Sequence, residues 1–273
     1  MLPPTDLAGL NKTKLHLGDF AKRFYKDATP FGPVFSYYAA AVPFAADDLR
    51  DFVDEPIAAL PPRILAGLGK AVVLFVPFLE RPGAVSPRGG KRHLEKLEFD
   101  QRDSLVAMDP PAQPSRLTSA YIGPEKANEP HILAFGVQEV DSGDYHYNFF
   151  HAISLLVYLT QPDSVLAGYR TILREELKGR AHGEVDDAAW KAKLSLLKKE
   201  SGIRGESKLF LEYARHSFID TLTLFLHGIC CDIDVEPGPR QIASRHLRKR
   251  LQFLQTEYPQ PDGFAVFPEE LKN

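Results

Sequence analysis

Apolar positions follow two regimes along the chain. Up to about residue 140 they come in short blocks punctuated by proline and glycine, and beyond it they recur at three- and four-residue intervals over long stretches. In the first regime, Leu15 to Lys26 and Asp47 to Val53 have the composition of short helices, with Asp47 placed as an N-cap. Pro61-Pro62 opens a further short helix, Arg63 to Leu68, and Gly67 and Gly69 end it. Ala71 to Val76 is an unbroken β-branched and aromatic run, which predicts a strand buried on both faces and stopped at Pro77. Further strands are expected at His93 to Phe99, Arg116 to Ile122 and His131 to Val140. A long connection, 82–114, carries Pro82, Pro87, Pro110, Pro111 and Pro114.

The second regime is helical. Phe149 to Leu159 has helical length, Asp163 is expected to cap a helix through Lys178, and Asp186 to start another through Lys199. Glu206 to Cys231 is the longest apolar segment, and Pro239 is expected to open a last helix ending near Tyr258. Helices, a group of strands and then a run of helices predict an α+β fold rather than βαβ alternation. Its sheet, small and mixed or antiparallel, spans about residues 71–140, between N-terminal helices and a larger C-terminal helical block. The expected unit is a single domain, 1–273, with a possible subdivision into 1–141 and 142–273.

Composition narrows the classes. A chain of 273 residues with 44% hydrophobic residues, 25% charged residues and 18 Phe is not a disordered polymer, despite 22 Pro and 19 Gly. With 33 Lys+Arg against 36 Asp+Glu, nucleic acid and anionic membrane are not expected partners, which leaves a small molecule or another protein. The two cysteines, Cys230 and Cys231, are adjacent and cannot form an unstrained disulfide, which fits a reducing compartment. No secretory signal is visible, and the longest apolar stretches are too short to span a bilayer. A cytoplasmic protein is expected.

No motif names a reaction. Gly67-Leu68-Gly69-Lys70 is a phosphate-loop fragment with Ile64 and Ala71 at required positions, and it precedes a strand instead of following one. A nucleophile elbow, a zinc helix and a paired-cysteine motif are all lacking. The informative segment is Glu206 to Cys231. At about 100° per residue, Glu212, Thr223, His216, His227 and Asp220 fall within a stripe of about 80°, on a helix otherwise lined by Phe, Leu and Ile. Glu212, His216 and Asp220 stand one turn apart. A His between two carboxylates suits an oriented general base or a ligand of a divalent metal ion, with Glu212 and Asp220 as orienting groups or co-ligands. The alternative is a seam that faces solvent or pairs with Arg and Lys of neighbouring helices.

A second cluster runs from Asp144 to His151. Extended, it would set Asp144, His146 and Asn148 opposite Tyr145, Tyr147 and Phe149, and His146 or His151 could complete a metal shell with His216 and Asp220. Asp232, Asp234 and Glu236 alternate in an acidic segment that the basic run Arg240, Arg245, Arg248, Lys249 and Arg250 would neutralise. Cys231, one turn after His227, would form a thiol dyad only if it were activated. The expected function is an enzyme with a metal-assisted or His/carboxylate site on the buried C-terminal helix. The alternative is a non-catalytic protein-binding or assembly module that uses the Pro-rich connection 82–114 and the C-terminal tail.

Overall fold

The computed structural model describes residues 14–82, 100–198, 205–231 and 241–266. The expected strand at His93 to Phe99, the acidic residues 232–236 and Pro239 lie outside the described residues. The chain divides into two compact units. Unit 1 comprises Met1–Val53 and Leu68–Asn148, and unit 2 comprises Asp54–Gly67 and Phe149–Asn273.

Unit 1 holds the strands. Thr29–Phe31 (β2), Phe35–Tyr38 (β3), Ala71–Val76 (β4), Ser119–Ile122 (β8) and His131–Gly136 (β9) form a mixed sheet in the order β2-β3-β4-β9-β8. β4 runs parallel to both neighbours, with Ala71 opposite Phe35 on one side and His131 on the other. All six of its residues are buried, as its unbroken apolar run predicts. A second, antiparallel sheet takes Leu15–His16 (β1), Phe78–Glu80 (β5), Leu105–Ala107 (β6) and Arg116–Leu117 (β7), in the order β1-β6-β5-β7.

The chain turns from one sheet into the other at Pro77 and again at Thr118. There Val137 and Gln138 donate their amides to the carbonyls of Val76 and Pro77. Gly136 meets the first corner: a Cβ on it would stand 3.1 Å from the Leu79 amide nitrogen and 3.4 Å from the Phe78 Cα. A larger residue there would press on the Phe78–Leu79 backbone, so glycine suits the corner.

The sheets therefore reach further towards the N-terminus than 71–140. β1, β2 and β3 have two to four residues each and too few positions to show a period, so ladder pairing and not local pattern creates them.

Helix α1, Leu17–Phe24, turns Leu17, Phe20, Ala21 and Phe24 inward at helical spacing, against Val72, Leu74 and Val76 of β4 and Ile132 and Ala134 of β9. A second apolar group in unit 1 is aromatic: Phe52 and Tyr145 ring centroids lie 4.7 Å apart, Phe44 and Phe75 5.0 Å, Phe135 and Tyr145 5.2 Å. Helix α2, Ala46–Leu49, starts one residue before the expected Asp47 cap. Asp48 does the capping, its carboxylate accepting from the Ala45 amide at 2.7 Å, because an acid at the third helical position can reach back over the first turn. A π-helical stretch, Arg50–Asp54, follows.

Unit 2 is helical. It takes α3 (Glu55–Ala58) and α4 (Pro62–Gly67) from the N-terminal half, then α6 (Asp163–Lys178), α7 (Asp187–Leu197), α8 (Lys208–Cys230) and α9 (Ser244–Glu257). The division between units falls within α5, Ser142–Thr160. α8 packs on α6, α7 and α9. Asp186 and Ser207 are side-chain N-caps of α7 and α8, accepting from the amides of Asp187 and Phe210. Asp163 is the first helical residue of α6 and Pro162 its N-cap, so the Asp163 charge meets the helix dipole without capping it.

The 144–150 segment is helix, not the extended strand expected from its alternation. Asp141 is the cause: its carboxylate accepts from the Asp144 amide at 2.8 Å and its carbonyl from the Tyr145 amide at 3.0 Å, which starts α5 ahead of the aromatic run. Residues 144, 146 and 148 therefore do not share one side.

Candidate functional site

The polar seam of α8 is graded from solvent to core. Glu212 is exposed and His216 half-buried, with His216 Nε2 accepting from the Arg215 guanidinium at 3.2 Å. Asp220 is 5% exposed and accepts from the Ala189 amide at 3.3 Å, in the first turn of α7. Thr223 is fully buried and returns its hydroxyl to the Ile219 carbonyl at 2.8 Å. His227 is half-buried, its ring 6.0 Å from that of Phe150.

Among the described residues of unit 2, no three His, Cys, Asp or Glu ligand atoms lie within 4.8 Å of one another, so Glu212, His216, Asp220 and His151 do not converge as one ion site there. In unit 1, His146 donates from Nε2 to the Asp51 carbonyl at 2.6 Å.

Asp220 is the chemically unusual member. Its carboxyl pKa is pushed up to about 7, by burial first and then by the negative Asp186, while the Ala189 amide and the Arg250 charge oppose the rise. Two carboxylates thus attend one helix N-terminus: exposed Asp186 on the first amide and buried Asp220 on the third. His151, half-buried on α5, has its pKa lowered by burial against the pull of Asp186. The Cys230 thiol is pushed up to about 12 by burial and by Cys231, which keeps it protonated and removes it as a nucleophile.

Beside this seam, unit 2 buries a charged network. Arg250 of α9, 0% exposed, donates from Nε to both Glu176 oxygens at 3.1 Å and from Nη1 to Glu184 at 2.7 Å and Ser217 at 2.9 Å. Lys193 reaches Glu184 at 3.1 Å and the Gly183 carbonyl at 2.8 Å, and the Tyr213 hydroxyl donates to Glu184 at 2.5 Å. Burial alone would raise the Glu184 pKa, but Arg250 and Lys193 outweigh it and hold the carboxyl below its ordinary value. Two cations face two carboxylates, all hydrogen-bonded, which is the arrangement of a structural element.

The place for a ligand lies elsewhere, in a cavity of about 300 Å³ wholly within unit 1. Its apolar wall is Ala21, Tyr25, Ile122, Pro124, Pro130 and Ile132, and its polar groups come from His16, α1, the 100–103 segment and the loop 123–130. Arg102 ties two of these pieces together, donating from Nε and Nη2 to Asp100 at 3.0 and 2.7 Å and from Nη1 to Glu125. Glu129 folds the loop, accepting from the amides of Glu125 and Lys126 at 3.0 and 3.2 Å. The Leu17 and Gly18 amides at the start of α1 donate to the carbonyls of Ser104 and Arg102 at 2.7 and 2.9 Å.

Sequence reasoning missed this cavity. Its only local signals are the polar turn Asp100-Gln101-Arg102-Asp103, within the Pro-rich connection 82–114, and the Gly123 to Pro130 loop. No family model, no curated protein and no solved structure matches the chain. Among the described residues, no helix is long and apolar enough to cross a membrane.

Proposed function

We propose that the protein binds a small organic molecule in the unit 1 cavity. The carrying observation is the cavity itself: about 300 Å³, at the lower end of the range for small-molecule sites, with an apolar wall and a rim of charged groups. Arg102 and Asp103 belong to the Pro-rich connection, so this reading gives that segment a role in ligand binding in place of protein docking. The test is a fragment titration followed through isoleucine methyl resonances. Ligands are expected to shift Ile122 and Ile132 and to leave Ile219 of α8 in place; shifts absent from both cavity residues across the whole fragment set would sink the reading.

A second reading, an enzyme with a His/carboxylate site, is favoured by one observation: buried Asp220 is poised to exchange a proton near neutral pH beside Asp186. Since no three donors converge in unit 2, this reading is carried as acid–base chemistry by Asp220 with Asp186 and His151, and not as an ion site. The cavity ranks above it because it supplies a space for a substrate-sized molecule.

A further inference from the structure

We infer that the ligand of the unit 1 cavity is an organic cation, an ammonium or guanidinium head on a compact apolar body. The inference rests on the cavity reading above and adds the ligand's charge and shape.

The lining carries four carboxylates, Asp19, Asp103, Glu125 and Glu129, against two cations, Lys22 and Arg102. Both cations stand beside carboxylates. Arg102 is held bidentate by Asp100, which stands outside the lining, and it also pairs with Glu125. Lys22 stands 3.9 Å from the same Glu125. Among the described residues Asp19 and Asp103 form no ion pair, and Glu129 meets only backbone amides. The excess negative charge therefore falls on three carboxylates from three separate pieces of chain.

Anion binding would instead need free helix amides or an uncommitted guanidinium. The Leu17 and Gly18 amides that open α1 go to the Ser104 and Arg102 carbonyls, and Arg102 donates from Nε, Nη1 and Nη2 to carboxylates. His16 donates from Nδ1 to the Asp103 carbonyl at 3.2 Å, tying β1 to the 100–103 segment. A Cβ on Gly18 would come within 3.3 Å of the Arg102 Cβ and 3.4 Å of its carbonyl oxygen, so α1 and the 100–103 segment meet closely. The apolar body would lie on Ala21, Tyr25, Ile122 and Ile132.

The experiment compares three probes of similar shape, phenethylamine, 2-phenylethanol and 3-phenylpropionate, by methyl NMR and calorimetry on the full chain. Phenethylamine should shift the Ile122 and Ile132 methyls and bind about tenfold more tightly than 3-phenylpropionate. The double variant Asp19→Asn/Asp103→Asn, at two exposed positions, should weaken phenethylamine roughly fivefold and leave 2-phenylethanol unchanged. If 3-phenylpropionate binds these methyls as tightly as phenethylamine, or if the double variant leaves the amine's affinity intact, the cation assignment is wrong while the cavity reading stands. If none of the three probes moves either methyl, the cavity reading itself fails.

Discussion

A carboxyl group buried as Asp220 is, with one backbone donor, keeps its proton to about pH 7 in the folded chain but ionises near 3.8 when unfolded. Between these values the folded state binds the extra proton, so stability falls as pH rises from about 4 to 7. The destabilisation is absent below the lower value and complete above the upper one. Asp220→Asn preserves the acceptor for Ala189 and removes the titration. Relative to wild type, the variant should therefore gain on the order of 4 kcal/mol between pH 4 and pH 8 in urea unfolding. A difference independent of pH would show that Asp220 ionises normally. The spacing of polar residues on α8 was enough to single out Asp220 in the sequence. It could not reveal that Glu212, on the same stripe, sits in solvent, nor that Asp186 stands beside Asp220, because both depend on where α7 packs.

Helix α9 illustrates what pattern does and does not say about an element. Its basic run was legible, and it was expected to neutralise the acidic residues 232–236. Arg250 instead lies on the apolar stripe of Leu247, Leu251 and Leu254 and is fully buried between Glu176 and Glu184. Lys193 repeats the pattern on α7, 1% exposed between Ala189 and Leu196. A cation at helical spacing within an apolar face was the available signal for both. Arg250→Leu should cost about 3–5 kcal/mol in urea unfolding, because it strands the buried Glu176 carboxylate and leaves Glu184 with Lys193 as its one remaining cation. Lys249→Ala, whose partner Glu175 lies in solvent, should leave stability nearly unchanged; a comparable loss in both variants would mean that burial does not set the cost.

Across the whole molecule, the chain visits unit 2, returns to unit 1 and comes back, so neither unit is one continuous stretch. Residues 54–67 belong to the helical unit, where Ile64 is 0% exposed and Arg63 donates to the Glu257 carbonyl at 2.8 Å. A fragment 142–273 expressed alone should therefore lack a cooperative urea transition by circular dichroism; a transition as sharp as the full chain's would mean that 54–67 contributes little. The sequence by itself determined the α+β class, the buried strand at 71–76, the helix start at Asp186 and the polar seam of α8, since each follows from residues within a few positions of one another. Tertiary structure alone decided the short N-terminal strands, the helical start of α5, the inward turn of Arg250 and the cavity. That cavity joins residues 16–25, 102–103 and 122–132, and no local periodicity records a convergence made by sheet pairing between distant segments.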